Sequence, residues 1–280
     1  MATTVGSLSI PMGVAVGYVL PALIVQESSG KSDVGSLMLL EAFIVGVVTV
    51  LVFLLFKNTP SVAPSYAAQA KKESFKEGLR IALKNKNFLL AVLGFGLGQG
   101  TLNAFTTVVQ QITSPYGYSS TDNSIFGSLA IFFGLVGSAV AGVFVTKTMK
   151  YKVTLMSILV SSAISFIILL LSLEWGTLGL VCGAVSLFGF CLMPILPIGF
   201  ELGCELTFPV GEATINGIMN CSGQVFGILQ ILIAFAFGNS PYLVIFMGVF
   251  CVTLGTVFVL FCKEELRRIK KNELGTELSK

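Results

Sequence analysis

Long apolar runs broken by short polar punctuation organise this chain from end to end. Scanned in windows of about 19 residues, they resolve into eight candidate membrane spans at 8–25, 37–56, 88–112, 124–146, 153–172, 177–200, 213–237 and 242–262. Each run is continuous for about 20 residues, the length a helix needs to cross hydrocarbon, whereas barrel strands would alternate over ~10 residues. The pattern predicts an all-α integral membrane protein of about eight transmembrane helices. The N-terminal stretch MATTVGSLSIP lacks the basic region and small-residue cleavage site of a signal peptide, so the first run is expected to be a true membrane helix.

Two features stand out against this apolar background. The longest interruption, 57–87, opens with a Pro- and Ser-bearing stretch, KNTPSVAPSYAAQAKKES, and continues as ESFKEGLRIALKNKNF, which has the pattern of a short amphipathic helix leading into the third span. The layout is therefore two spans, a basic linker, then six spans. The second feature is a pair of amide stripes at helical spacing. Gln99, Asn103, Thr106 and Gln110 share one face of the third span, and Asn216, Asn220 and Gln224 share one face of the seventh. Amides left in hydrocarbon without partners cost several kcal/mol each, so both stripes must face protein or water. They serve either as interhelical glue or as the lining of a solute path.

Composition narrows the chemistry. The chain is 54% hydrophobic and 11% charged with a mean hydropathy of +0.90, outside the range of soluble domains. Histidine is absent, which removes the commonest metal ligand and proton carrier and excludes Ser-His-Asp and Cys-His active sites. The six cysteines are irregularly spaced, form no CxxC pair and fall mostly within apolar runs, as small core residues do. No enzyme, metal site, bound cofactor or nucleic-acid partner is expected. Of seventeen Lys and Arg, sixteen fall on one side of the membrane under the eight-span count, in the linker, in the loop 147–152 and after the last span. By the positive-inside rule that side, with both termini, is cytoplasmic. These basic residues read as a solvated face. Gly94, Gly96, Gly98 and Gly100 imitate a nucleotide-binding fingerprint, but no strand precedes them, so they predict close helix packing or a kink. Glu41, near the outer end of the second span, reads as an interfacial carboxylate.

Three carboxylates, Glu201, Glu205 and Glu212, sit between the sixth and seventh spans with no Lys or Arg among them. Counting spans puts them in a cytoplasmic loop at the membrane boundary. Glu201 and Glu205 are four apart at the end of a helix, where like charges repel and the dipole disfavours anions, so a basic partner is expected nearby. Glu212 follows Pro209 and Gly211 into the first turn of the next helix, where a carboxylate is favoured.

The block LPIGFELGCELTFPVGEATINGIMNCSGQVFGIL, 196–229, resembles the tenth and eleventh helices of the feline leukaemia virus subgroup C receptor-related (FLVCR) transporters of the major facilitator superfamily. MGVAVGYVLPALIV, 12–25, is similar to the fifth helix of that family, and NAFTTVVQQI, 103–112, to its seventh. The resemblance implies a partial first bundle (1–56), a cytoplasmic linker (57–87), a complete six-helix second bundle (88–262) and a cytoplasmic tail (263–280), with the first four helices of the family pattern lacking. It implies a multi-pass transporter, in the plasma membrane by default, that moves choline, ethanolamine or haem by alternating access. Gln224 and Asn220 match the family's cavity-facing helix; Asn103 stands at an aromatic position of the family, and Pro11 where a Gln is usual. A quaternary ammonium is recognised by aromatic faces, so Phe105, Phe226 and Tyr18 join Gln99, Asn103, Asn216, Asn220 and Gln224 as path candidates. Glu201 and Glu205 are expected to form inter-bundle charge pairs that close the cytoplasmic side, with Glu212, a helix-start residue first, as a further gate candidate. The alternatives are a solvated acidic loop for these glutamates and, for the chain, a shortened non-transporting scaffold, receptor-like or regulatory. Self-association or association with a longer homologue is a further expectation.

Overall fold

A computed structural model describes residues 31–56, 74–238 and 240–269, together with isolated positions 13, 16, 17, 20 and 24. Most of the expected first span, with Pro11 and Tyr18, lies outside the described residues, as do linker residues 57–73 and the tail beyond 269. Among the described residues there are helices and no strands: α1 (Lys31–Leu55), α2 (Phe75–Lys84), α3 (Lys86–Thr113), a single 3-10 turn (Ser114–Tyr116), α4 (Ser120–Thr148), α5 (Tyr151–Trp175), α6 (Leu178–Leu192), α7 (Ile195–Thr207), α8 (Glu212–Ala236) and α9 (Pro241–Phe261). Seven segments are long and apolar enough to cross a membrane, α6 and α7 counting together as Leu178–Thr207. Expected spans two to eight each correspond to one of them. The fold is an all-α bundle of membrane-crossing helices.

α3 is the centre of that bundle, packed against α8, α9 and α7. The run of alternate glycines explains how one helix can hold so many neighbours. A Cβ on Gly94 would stand 2.8 Å from the carbonyl oxygen of Gly255 on α9; one on Gly100 would stand 2.7 Å from the backbone nitrogen of Gly227 on α8. Gly96 faces Ser222 and Phe226 of α8, and Gly98 faces Leu159 of α5 and Ile195 of α7. Lipid supplies no hydrophobic force between helices, so such close approach, with its van der Waals contact, is what holds them. The expectation of glycine-mediated packing is met, in an unbroken helix.

Local sequence sets the ends. Asn85 caps α3 by accepting from the N–H groups of Asn87 and Phe88, and Ser119 with Asp122 forms a reciprocal capping box at the start of α4. α2 buries Gly78 and Ala82, one turn apart, in line with its amphipathic pattern. By contrast α1 buries only Leu37 along its described length, and Phe43 and Phe53 are exposed.

One expectation is corrected. The sixth span, expected to end at 200, breaks at Met193–Pro194 and resumes as α7 through Thr207. Pro194 precedes α7 and Pro197 lies in its first turn, where a missing N–H breaks no helical bond. Glu201 and Glu205 are therefore in the last turns of a helix packed on α3, α5 and α8, not in a loop.

Candidate functional site

The two amide stripes meet. α3 and α8 make the most extensive helix contact of the bundle, and Gln99 Nε2 donates to Asn220 Oδ1 at 3.3 Å while Asn103 Nδ2 donates to Gln224 Oε1 at 3.4 Å. Both pairs are 121 residues apart, as expected of helices that run in the same direction and cross in register. Glycines fix the crossing: Gly223 lies against the Gln99 side chain, and Gly227 lies against Asn103 with a would-be Cβ contact of 3.3 Å. Gln99 is buried, Asn103 half-buried, and Asn220 and Gln224 are exposed, so the ladder grades from protein interior to open helix face. Among the described residues Gln99 Oε1 is a buried oxygen without a hydrogen-bond partner.

Chemically this face offers neutral amides rather than charge. Gln224 accepts through Oε1 and Asn220 through Oδ1, and among the described residues the NH2 of each is left for a further acceptor. Further along α3 the row continues with Thr107, whose hydroxyl is turned back to the Asn103 carbonyl, and Gln110, which donates to Ser120 Oγ at 3.1 Å. At the other end of α8, Asn216 accepts from the Cys204 thiol at 3.5 Å and so joins α8 to α7. Glu212, the first residue of α8, stands one turn before it on the same stripe.

The aromatic candidates are placed otherwise. Phe105 is buried in a triad with Phe166 and Phe188, ring centroids 5.8 and 4.5 Å away, facing α5 and α6. Phe226 is half-buried against Gly96 and Gly100 of α3. Tyr18 lies outside the described residues. The rings of Phe105 and Phe226 thus fill space between helices, and the sequence pattern could not separate them from path residues because Phe recurs on every face of this chain.

The glutamates have the basic partner that their spacing demands. Glu205 is 4% exposed; its Oε2 accepts from the backbone N–H groups of Arg268 and Ile269 at 3.1 and 3.2 Å. The Arg268 guanidinium reaches Glu205 at 4.0 Å and Glu212 at 3.1 Å. Glu201 stands near Tyr151 at the start of α5. The observed pairing ties the segment after α9 to α7 and α8. A buried pair that sequence reasoning missed, Thr101 with Gln230 at 3.1 Å, also links α3 and α8; its signal was the single amide in GILQILIAFA, off the i+4 stripe by two positions.

Comparison with known proteins places these features in a lineage. The sequence profile of the Major Facilitator Superfamily matches residues 1–231. The choline/ethanolamine transporter flvcr2a of Danio rerio is 31% identical, with 97% of this chain and 61% of that protein covered. An uncharacterized MFS-type transporter of Caenorhabditis elegans, C09D4.1, is 30% identical over 98% of this chain and 49% of its own length. The human choline/ethanolamine transporter FLVCR2 is 28% identical over 94% and 52% respectively. The chain spans about half to three-fifths of the length of these relatives.

Proposed function

The chain belongs to the major facilitator superfamily, with FLVCR-type transporters among its relatives, and from that premise we propose that it is a membrane transporter, not an enzyme. Its solute in this reading is a small cationic metabolite of the choline or ethanolamine kind, the class for which its relatives are named. One observation carries the reading: Asn103, Asn220 and Gln224 form a registered ladder of uncharged amides on a half-open face of the α3–α8 pair. Glue alone needs buried amides, as in the Thr101–Gln230 pair; amides turned to the open face suit a wet path.

The chemistry fits a hydroxyl-bearing cation. The amide N–H groups of Asn220 and Gln224 can donate to a solute hydroxyl, and amide oxygens can face a quaternary ammonium, which donates no hydrogen bond of its own. Glu212 ends the same stripe, so the Glu205–Arg268–Glu212 cluster stands where a closing contact would, and alternating access would loosen it. Both termini are cytoplasmic in this reading and the protein sits in the plasma membrane, alone, self-associated or beside a longer homologue. Haem is a second solute with weaker support, because a chain without His lacks the commonest axial ligand and leaves only Tyr, Cys or Met for that role.

The test is saturable uptake of labelled choline in transport-deficient cells expressing the chain, with surface abundance measured in parallel. Gln224→Ala should raise the half-saturation concentration roughly 3- to 10-fold, the worth of one hydrogen bond of about 0.5–1.5 kcal/mol. No uptake at normal surface abundance would sink the choline reading, leaving haem export to assay next and a non-transporting scaffold in front.

A further inference from the structure

On the side of the bundle formed by α4, α5 and the end of α6 lies a groove of about 350 Å³, lined by Val140, Phe144, Ile158 and Phe190 with small residues between them. It is separate from the amide ladder, which belongs to α3 and α8. From Thr154 to Ser161 its wall runs seven residues along α5, or about 10 Å at 1.5 Å per residue, most of the ~15 Å depth of one leaflet's hydrocarbon. The hydroxyls on that wall are already used. Thr154 donates to the carbonyl of Lys150 at 2.7 Å, Ser157 to that of Thr154 at 2.8 Å, and Ser161 to that of Ile158 at 3.1 Å. With its donors turned inward, the groove presents a smooth apolar wall suited to an aliphatic chain, not to a polar solute.

Charge stands at one end only. On α4, Val140 and Phe144 are followed on the same face by Lys147, seven residues after the first and three after the second; Lys150 is the N-cap of α5, four residues before Thr154, whose hydroxyl bonds the Lys150 carbonyl. Both lysines are exposed, and among the described residues neither is joined to an acid. Lys152 differs: its ammonium is bound to the carbonyl of Leu260 on α9 at 2.7 Å. The α4 wall of the groove therefore ends in Lys147 and the α5 wall begins at Lys150, two exposed cations where α4 and α5 turn.

We infer that this groove binds an anionic phospholipid of the leaflet on the basic side, one acyl chain lying between α4, α5 and α6 and the headgroup phosphate held by Lys147 and Lys150. A basic end above an apolar trough one leaflet deep matches the two halves of that ligand. The inference does not depend on the transport reading.

To test it, the full chain in mild detergent is offered equal amounts of phosphatidylserine and phosphatidylcholine with identical acyl chains, and retained lipid is counted by native mass spectrometry. Phosphatidylserine should be retained about thirtyfold over phosphatidylcholine, the scale set by two lysines near an anionic headgroup. The K147Q/K150Q double variant should bring the two lipids to parity, whereas K152Q should leave the preference intact; all are surface changes that keep the elution profile of the folded chain. Phosphatidylserine with a photoactivatable group on its acyl chain should label peptides covering 137–144 and 154–161. The inference is overturned if the double variant keeps the preference, if the label falls elsewhere or is replaced by chain-to-chain crosslinks, or if soluble glycerophosphoserine competes as well as the lipid, which would make this a free-anion site.

Discussion

Among the described residues Glu205 is the carboxylate with least access to solvent, 4% exposed, with two backbone N–H groups and one guanidinium directed at it. Truncating it leaves those donors unpaired in a protein interior, at about 1–3 kcal/mol for a buried polar group and more for a charged one. Arg268 is 31% exposed and can turn to water, so Glu205→Ala is expected to cost about 2–3 kcal/mol, measured as thermal or denaturant unfolding of the purified chain in detergent. Glu212→Ala should cost no more than ~1 kcal/mol and should lose its effect in high salt, because that side chain is 49% exposed. Equal losses for the two variants would contradict the burial argument. The sequence contained half of this site. Repulsion at i and i+4 and the helix dipole required a cation near Glu201 and Glu205, but nothing local could say that it is Arg268, 63 residues after Glu205, because the tail's return across α7 is a product of packing. Phe105 illustrates the converse: its place beside Asn103 in sequence suggested the path, and only the positions of Phe166 and Phe188 show which side of α3 it faces.

Between elements, the decisive contact is α3 on α8, and it depends on residues with no side chain. A methyl at Gly100 would come within 2.7 Å of a backbone nitrogen and 2.8 Å of Phe226 Cβ, neither of which can move without shifting a helix. Gly100→Ala is therefore expected to destabilise the fold by about 1–3 kcal/mol, the usual cost of overpacking, and to weaken the Asn103–Gln224 bond one turn along. Gly217→Ala, on the same α8 with nothing within 4 Å of the added atom, should be neutral or stabilising by up to ~1 kcal/mol through helix propensity. Heating both variants with the parent chain and following monodisperse elution gives the order; destabilisation of both alike would reduce the effect to loss of glycine as such. The stripes themselves were legible, because i, i+4 spacing of amides in an apolar run needs no tertiary knowledge. Their pairing in register was not, since it depends on Gly96, Gly100, Gly223 and Gly227 meeting at one crossing, and a glycine in a membrane helix carries no mark of which neighbour it admits.

Across the whole molecule, hydropathy located spans two to eight because a bilayer-length apolar run has few alternatives, and it failed at the place where proline interrupts one. Pro194 and Pro197 reset the helix so that α6 and α7 together outrun the usual span, carrying Glu201 and Glu205 into helix. Charge asymmetry predicts the orientation proposed above, and a single experiment reads it. The turn joining α4 to α5 carries Lys150; the opposite end of the bundle carries Thr121 at the start of α4 and Thr177 before α6, all exposed. Neither threonine occupies the left-handed conformations of Gly117 (φ 84°) and Gly176 (φ 67°), where a substitution would be strained. In a Cys221→Ser background, which removes the exposed native thiol, Thr121→Cys and Thr177→Cys should react with a membrane-impermeant maleimide added to intact cells, and Lys150→Cys only after permeabilisation. Native Cys262, just past α9 at the Lys150 end, will not compete: burial pushes its thiol up to about 11, so it stays protonated and unreactive at neutral pH. Labelling of Lys150→Cys from outside would invert the molecule in the membrane, move the Glu205–Arg268–Glu212 cluster to the outer face, and with it reverse the side on which that contact could close a path.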